Sequence, residues 1–337
     1  MGNTALLALA FSSAVAAAAS AARPGPPFRP VATYSIVARD AATGEMGVAV
    51  QSHWFSVGSV VPWAEPGVGA VATQSFVEPS YGPLGLERMR SGAAAAEALD
   101  ALVAADEDRE VRQVAMIDAH GRVAVHTGRK CIVHAGHRAG EGYSAQANLM
   151  ENAGVPEAMA RAYENAAGDL ADRLLAALEA AEGEGGDIRG RQSAAILIVS
   201  GEKSDRPWEG RLFDLRVEDH PDPVGELRRL VRFKRAYRML NDGDERLTRE
   251  DVDGALSAYR GALSLIGDDE TNGEAPFWVG TTLASIGRVD EALPYLRRAV
   301  ALDPRWAVTL AHLPAAGLLP DDPAWIEGLI RRMEAEE

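Results

Sequence analysis

A threonine at position 33 opens a β-type run, Thr33-Tyr34-Ser35-Ile36-Val37-Ala38-Arg39-Asp40. A Gly-containing connection, Ala41-Ala42-Thr43-Gly44-Glu45, leads to a second run, Met46-Gly47-Val48-Ala49-Val50-Gln51-Ser52, the pattern of a hairpin. Alternation puts Tyr34, Ile36 and Ala38 on one face and Thr33, Ser35, Val37 and Arg39 on the other. A hydroxyl at a chain terminus can use its own α-amine as base, one way to activate a weak nucleophile. That amine titrates near pH 8, close enough to neutrality to accept the proton. Ser52 and His53, at the end of the second run, are placed to tune the amine or orient the attacked group. Thr73, Gln74 and Ser75 are placed to line the pocket from a third strand. The competing reading is a threonine that opens a strand through β propensity alone.

Other constellations carry less. Cys131-x-x-His134-x-x-His137 offers soft and imidazole ligands at close spacing. It has no second half, and no H-E-x-x-H exists, so a packed cysteine and hydrogen-bonding histidines compete with a metal site; no metal and no cofactor are expected. Asp187, Arg189 and Arg191, and then Asp214, Arg216 and Asp219, fit either salt bridges bracing late strands or a carboxylate-binding site. Tyr81, His137, Gln146 and Asn148 complete the expected substrate-binding set.

Residues 70–76 read as the third strand, and 83–90 as a short helix with Pro at its first turn. Ser91 is expected to cap a helix over 92–105, followed by a hairpin over 111–126 turning at Ala119-His120-Gly121. Residues 128–152 read as loop. Helices are expected over 156–167 and 170–181, and strands over 193–199 and 211–217. Strands, then helices, then strands again imply a layered sandwich with outer helices, not a doubly wound sheet. Beyond Asp219-His220-Pro221-Asp222-Pro223 every pattern is helical, with a bridging helix over 224–240. Gly280, Leu283, Gly287, Ala292, Leu296, Ala299 and Pro304 stand at tetratricopeptide spacing, and Asp290-Glu291-Ala292-Leu293 echoes Asp253-Gly254-Ala255-Leu256. Residues 304–320 break this repeat and are expected to cap it.

The chain has 337 residues, 47% apolar and 25% charged, enough for two cores. A net charge of −15 argues against a nucleic-acid or anionic-membrane surface. The single cysteine excludes an intramolecular disulfide. Residues 5–22 are small and apolar, end in Ala19-Ser20-Ala21, and precede Arg23-Pro24-Gly25-Pro26-Pro27, which fits a secretory leader and an extended spacer. The n-region carries no Lys or Arg. Trimming at Ala21 leaves Thr33 internal, so a free Thr33 amine needs a second cut.

The first run and Gly47-Val48-Ala49-Val50 resemble the family called domain of unknown function 1028. Val61-Pro62-Trp63-Ala64, Gly67 to Gln74, Tyr81-Gly82-Pro83, Ala135-Gly136-His137, Gly186-Asp187, Arg189 to Ala195, Asp214 to Val217 and Asp219 to Pro223 agree with it. The resemblance covers roughly 33–235 and implies an α+β fold, a four-layer αββα sandwich of the N-terminal-nucleophile hydrolase type. Many relatives begin at the residue matching Thr33 once the initiator Met is removed. The resemblance carries no established reaction. Some members carry a C-terminal segment proposed to bind peptidoglycan, and 304–320 looks similar to it. Against a proteasome-like pattern, the second strand ends without an acidic residue, and no obvious buried lysine follows the third.

The resulting expectation is a leader over 1–21, a spacer over 22–32, a sandwich over 33–235 and an all-α, tetratricopeptide-like domain over 236–337. The expected activity is amide hydrolysis of a small-molecule or peptide substrate by Thr33 with Ser52 and His53. The alternative is a non-catalytic adaptor that docks peptidoglycan or a protein through 245–337. The protein is expected to be secreted or periplasmic, homo-oligomeric, and without nucleic-acid partners.

Overall fold

The computed structural model describes residues 30, 31 and 33–334. The expected leader and most of the expected spacer lie outside these residues.

Strands β1 (Thr33–Arg39) and β2 (Met46–Ser52) form the hairpin expected from their alternation, with Thr33 opposite Ser52. A short strand β3 (Pro62–Glu65) precedes β4 (Gly69–Ser75). Helix α1 (Tyr81–Arg90) starts two residues earlier than its proline implies. Helix α2 (Ala95–Ala105) is not capped by Ser91. Its first turn is closed by the Glu97 carboxylate, which accepts the Ala94 N–H at 2.8 Å, while the Ser91 hydroxyl ends α1 by donating to the Glu87 carbonyl.

Strands β5 (Arg112–Asp118) and β6 (Val123–Thr127) form the second hairpin. The stretch read as loop holds a third, β7 (Gly136–Gly140) and β8 (Tyr143–Ala147). Its first strand, Gly-His-Arg-Ala-Gly, lies at a sheet edge with little apolar content, so alternation gives no signal. Helices α3 (Val155–Asn165) and α4 (Leu170–Gly183), then strands β9 (Ser193–Val199) and β10 (Arg211–Val217), complete the α+β region.

The strands build a six-stranded sheet, β10-β9-β2-β1-β8-β7, and a four-stranded sheet, β3-β4-β5-β6, with every pairing antiparallel. The sheets pack face to face through Val37, Val48, Val50, Ala70, Ala72, Ala115 and Ile117. The outer face of the larger sheet is covered by α3, α4 and the start of the next helix, through Tyr34, Ile36, Met159, Leu174 and Leu227. The outer face of the smaller is covered by α1 and α2, through Val71, Leu86, Leu99 and Met116.

A helical region follows. Helix α5 (Pro223–Thr248) is 26 residues long and belongs to both regions: Val224, Leu227 and Val231 join the sheet-covering core, whereas Ala236 and Leu240 join a second core. That second core unites α6 (Val252–Leu265), α7 (Glu274–Ser285), α8 (Val289–Leu302), α9 (Arg305–His312) and α10 (Pro323–Glu334). Gly280 lets α7 and α8 approach, because a Cβ there would stand 2.7 Å from the Leu296 side chain. Trp306 of α9 stacks on Phe277 at 4.5 Å between ring centroids. No described helix is long and apolar enough to cross a membrane.

Candidate functional site

Strand alternation carries an apolar layer between the sheets that turns polar toward one end. On β1 the inward series is Val37, Ser35, Thr33; on β4 it is Ala70, Ala72, Gln74; on β5 it is Ile117, Ala115, Gln113. Ser144 and Gln146 of β8, followed by Asn148, complete the polar end, and all these polar residues are fully buried. Burying so many polar side chains is tolerable only if they bond one another. They do. Ser35 Oγ donates to Gln74 Oε1 at 2.6 Å, and Gln74 Nε2 donates to Gln113 Oε1 at 2.8 Å and to the Thr33 carbonyl at 3.1 Å. Asn148 donates from Nδ2 to Gln113 Oε1 at 3.0 Å and from its backbone N–H to the Thr33 carbonyl at 3.1 Å. Gln146 Nε2 reaches Ser35 Oγ at 3.3 Å and the Ala72 carbonyl at 3.2 Å. Two acceptors in this seam, Gln146 Oε1 and Asn148 Oδ1, find no donor among the described residues.

Thr33 sits at the end of the seam, wholly buried within a continuous chain. Its Oγ1 donates to the Val31 carbonyl at 2.7 Å. Val31 in turn pairs with Ser75: the Val31 N–H donates to the Ser75 carbonyl at 2.7 Å, and the Ser75 N–H returns to the Val31 carbonyl at 3.0 Å. Ser75 is held at φ +72°, a left-handed conformation uncommon for a residue with a side chain. Beyond Val31, the Pro30 carbonyl lies 3.4 Å from Arg189 Nη1. That guanidinium is forked on Asp187, Nε to Oδ1 at 3.0 Å and Nη2 to Oδ2 at 2.7 Å, and the Asp187 side chain is fully buried.

The expected site residues divide. Ser52 is buried opposite Thr33, beside Ser193 of β9. His53 is exposed, and the interaction that fixes it is its backbone N–H on Asp187 Oδ2 at 3.0 Å. Gln74, Gln146 and Asn148 enter the seam. Thr73 does not: one residue away on the strand, it turns to the helix-covered face and donates to the Glu78 carbonyl at 3.1 Å. Ser75 contributes its backbone. Tyr81 belongs to a separate group, its hydroxyl donating to Asp106 at 3.1 Å, with Arg112 on the same carboxylate oxygen. Burial, reinforced by Asp106, pushes the Tyr81 phenol well up. His137 meets the seam at its rim, Nδ1 at 2.9 Å from Thr127 Oγ1, which accepts from Gln113 Nε2 at 3.1 Å. Burial of the ring, with His126 adding to it, lowers the His137 pKa and favours the neutral imidazole.

The Cys131, His134 and His137 trio is not brought together: Cys131 faces the Arg112 carbonyl at 3.3 Å and His134 Nδ1 the Met150 carbonyl at 3.0 Å. No group of three such ligands converges among the described residues. Of the acid–base clusters, Asp187–Arg189 lies at the Thr33 end, and Arg191 pairs with Glu182, the carboxylate that also takes the Tyr34 hydroxyl. Asp214 pairs with Arg211 and Arg216. Gln113 escaped the reading from sequence, and Ser35, placed on the Thr33 face, was not counted among the site residues. A glutamine in line with Ala115 and Ile117, the apolar inward positions of its strand, was the available signal.

A family model described as a family of unknown function, DUF1028, matches residues 33–227. A solved structure of a Silicibacter pomeroyi protein, titled with the same family, is 29% identical over 59% of this chain and 88% of that one, with a TM-score of 0.53. No curated protein matches. The extent of the family match, 195 of 337 positions counted from 33 to 227, settles membership: this chain belongs to DUF1028, a family of unknown function.

Proposed function

We propose that residues 33–235 form an amide hydrolase of the N-terminal-nucleophile type, with Thr33 as its nucleophile, latent while the chain continues into Val31. The observation that carries this reading is the position of Thr33 Oγ1. It begins a central strand of a helix–sheet–sheet–helix stack, and its bond is to the segment that a cut before Thr33 would release. Such a cut frees the hydroxyl and creates an amine beside it. Thr33 Oγ1 then attacks the acyl carbon while the amine takes its proton, the amide C–N bond breaks as that proton passes to the leaving nitrogen, and water hydrolyses the resulting ester. The unpartnered oxygens of Gln146 and Asn148 are acceptors suited to N–H groups of an amide substrate. The domain is exported and the tail, with tetratricopeptide-like helix pairs, docks the protein to peptide or cell-wall polymer.

One observation favours a second reading, a binding domain without catalysis. The hydrogen-bonded seam beside Thr33 consists of neutral hydroxyls and amides among the described residues, and the carboxylate at this end, Asp187, is already taken up by Arg189. N-terminal sequencing of the exported protein separates the two. The hydrolase requires a chain starting at Thr33 that a hydroxyl-reactive acylating probe labels, and labelling is lost in Thr33→Ala. A mature chain starting at residue 22 or 23, or equal labelling of both proteins, leaves the binding domain.

A further inference from the structure

We propose that the groove filled by Pro30 and Val31 is the acyl-side subsite of the Thr33 site, and that its ligand is an extended peptide with a small branched apolar residue two positions before the attacked bond. The proposal rests on the hydrolase reading for its link to turnover; the groove is argued from its own contacts. Val31 makes both backbone hydrogen bonds of an antiparallel pair with Ser75, at 2.7 and 3.0 Å. Its side chain is 1% exposed and completes the apolar cluster between the sheets. The preceding carbonyl faces Arg189 Nη1 at 3.4 Å, and the bidentate Asp187 grip fixes that guanidinium in place. These are the parts of strand-addition recognition: main-chain bonds to an edge supply affinity, and a pocket for alternate side chains supplies selectivity.

The direction follows from Thr33. Its Oγ1 points back along this segment, 2.7 Å from the Val31 carbonyl, so an acyl group that reaches the hydroxyl lays its preceding residues on the same path. A cut before Thr33 breaks the covalent tie and leaves behind the Ser75 N–H and C=O, the apolar pocket and one aimed guanidinium donor. The segment is thereby a tethered first occupant of its own groove.

The test uses the chain beginning at Thr33, the full-length chain as control, and a synthetic peptide copying residues 28–32, Phe-Arg-Pro-Val-Ala. Circular dichroism first establishes that the shortened chain is folded. Titration followed by calorimetry is expected to show saturable one-to-one binding to the shortened chain and none to the full-length chain, whose groove is filled. N-methylation of the peptide valine removes the donor to the Ser75 carbonyl and is expected to weaken binding about tenfold. Replacing that valine by aspartate is expected to abolish it. Equal affinity of the parent and N-methylated peptides, or no binding to a folded shortened chain, overturns the proposal. N-methyl-sensitive binding with no turnover of the corresponding peptide amide upholds the groove and removes the hydrolase. Turnover of other amides without peptide binding does the reverse.

Discussion

Gln113 shows why the polar seam holds together. Its Nε2 lies 3.1 Å from Thr127 Oγ1, 3.1 Å from the Gly136 carbonyl and 3.0 Å from the Ala147 carbonyl, while Oε1 accepts from Gln74 and Asn148. Two protons serve three acceptors, so the amide is crowded with partners on both ends. Gln113→Leu fits the volume but strands Asn148 Nδ2 and the β7 and β8 carbonyls. A loss of about 3 kcal/mol is expected, read as a lower urea midpoint at unchanged slope. Little of this was legible from residue types. Thr73, Gln74 and Ser75 looked equivalent in sequence, yet a period of two sends Thr73 to the other face and puts only Gln74 into the seam. Gln146 and Asn148 were legible as special because they stand out in a polar stretch. Their partners Gln113 and Ser35 were not, because the pairing joins residues far apart in the chain, Ser35 to Gln146 across neighbouring strands and Gln113 to Asn148 between the sheets.

At the scale of elements, the hairpins with strong alternation and the Leu-rich α4 were readable, since local pattern and tertiary burial agree there. The β7–β8 hairpin was not, because an edge strand needs no apolar face. The α1–α2 junction failed for another reason. Ser91 reads as a cap for the second helix, but its hydroxyl is spent on the Glu87 carbonyl of α1, and the Glu97 carboxylate takes the Ala94 N–H instead. The fit of α1 on β3 depends on Gly82, where a Cβ would lie 2.2 Å from the Trp63 ring. Gly82→Ala must therefore push α1 or the indole outward. A cost of about 2 kcal/mol is expected, together with altered Trp63 fluorescence. Retention of the wild-type melting temperature and emission would show that the helix shifts freely.

On the scale of the whole molecule, α5 decides how the two regions meet. At ~1.5 Å per residue its 26 residues span about 39 Å, and its inward stripe changes partner between Val231 and Ala236. Each residue added between those positions turns everything downstream by about 100°. Two alanines inserted after Phe233 are expected to split one thermal transition into two, whereas four, just over a full turn, are expected to keep them closer together. A single unchanged transition for both insertions would mean that the regions melt as one unit by another route. The consequence of so long an uninterrupted rod is that azimuth, not separation, is the coordinate it transmits. The tail is geared to the sandwich like a crank on a shaft, so the distal helices hold a set angle to the threonine end.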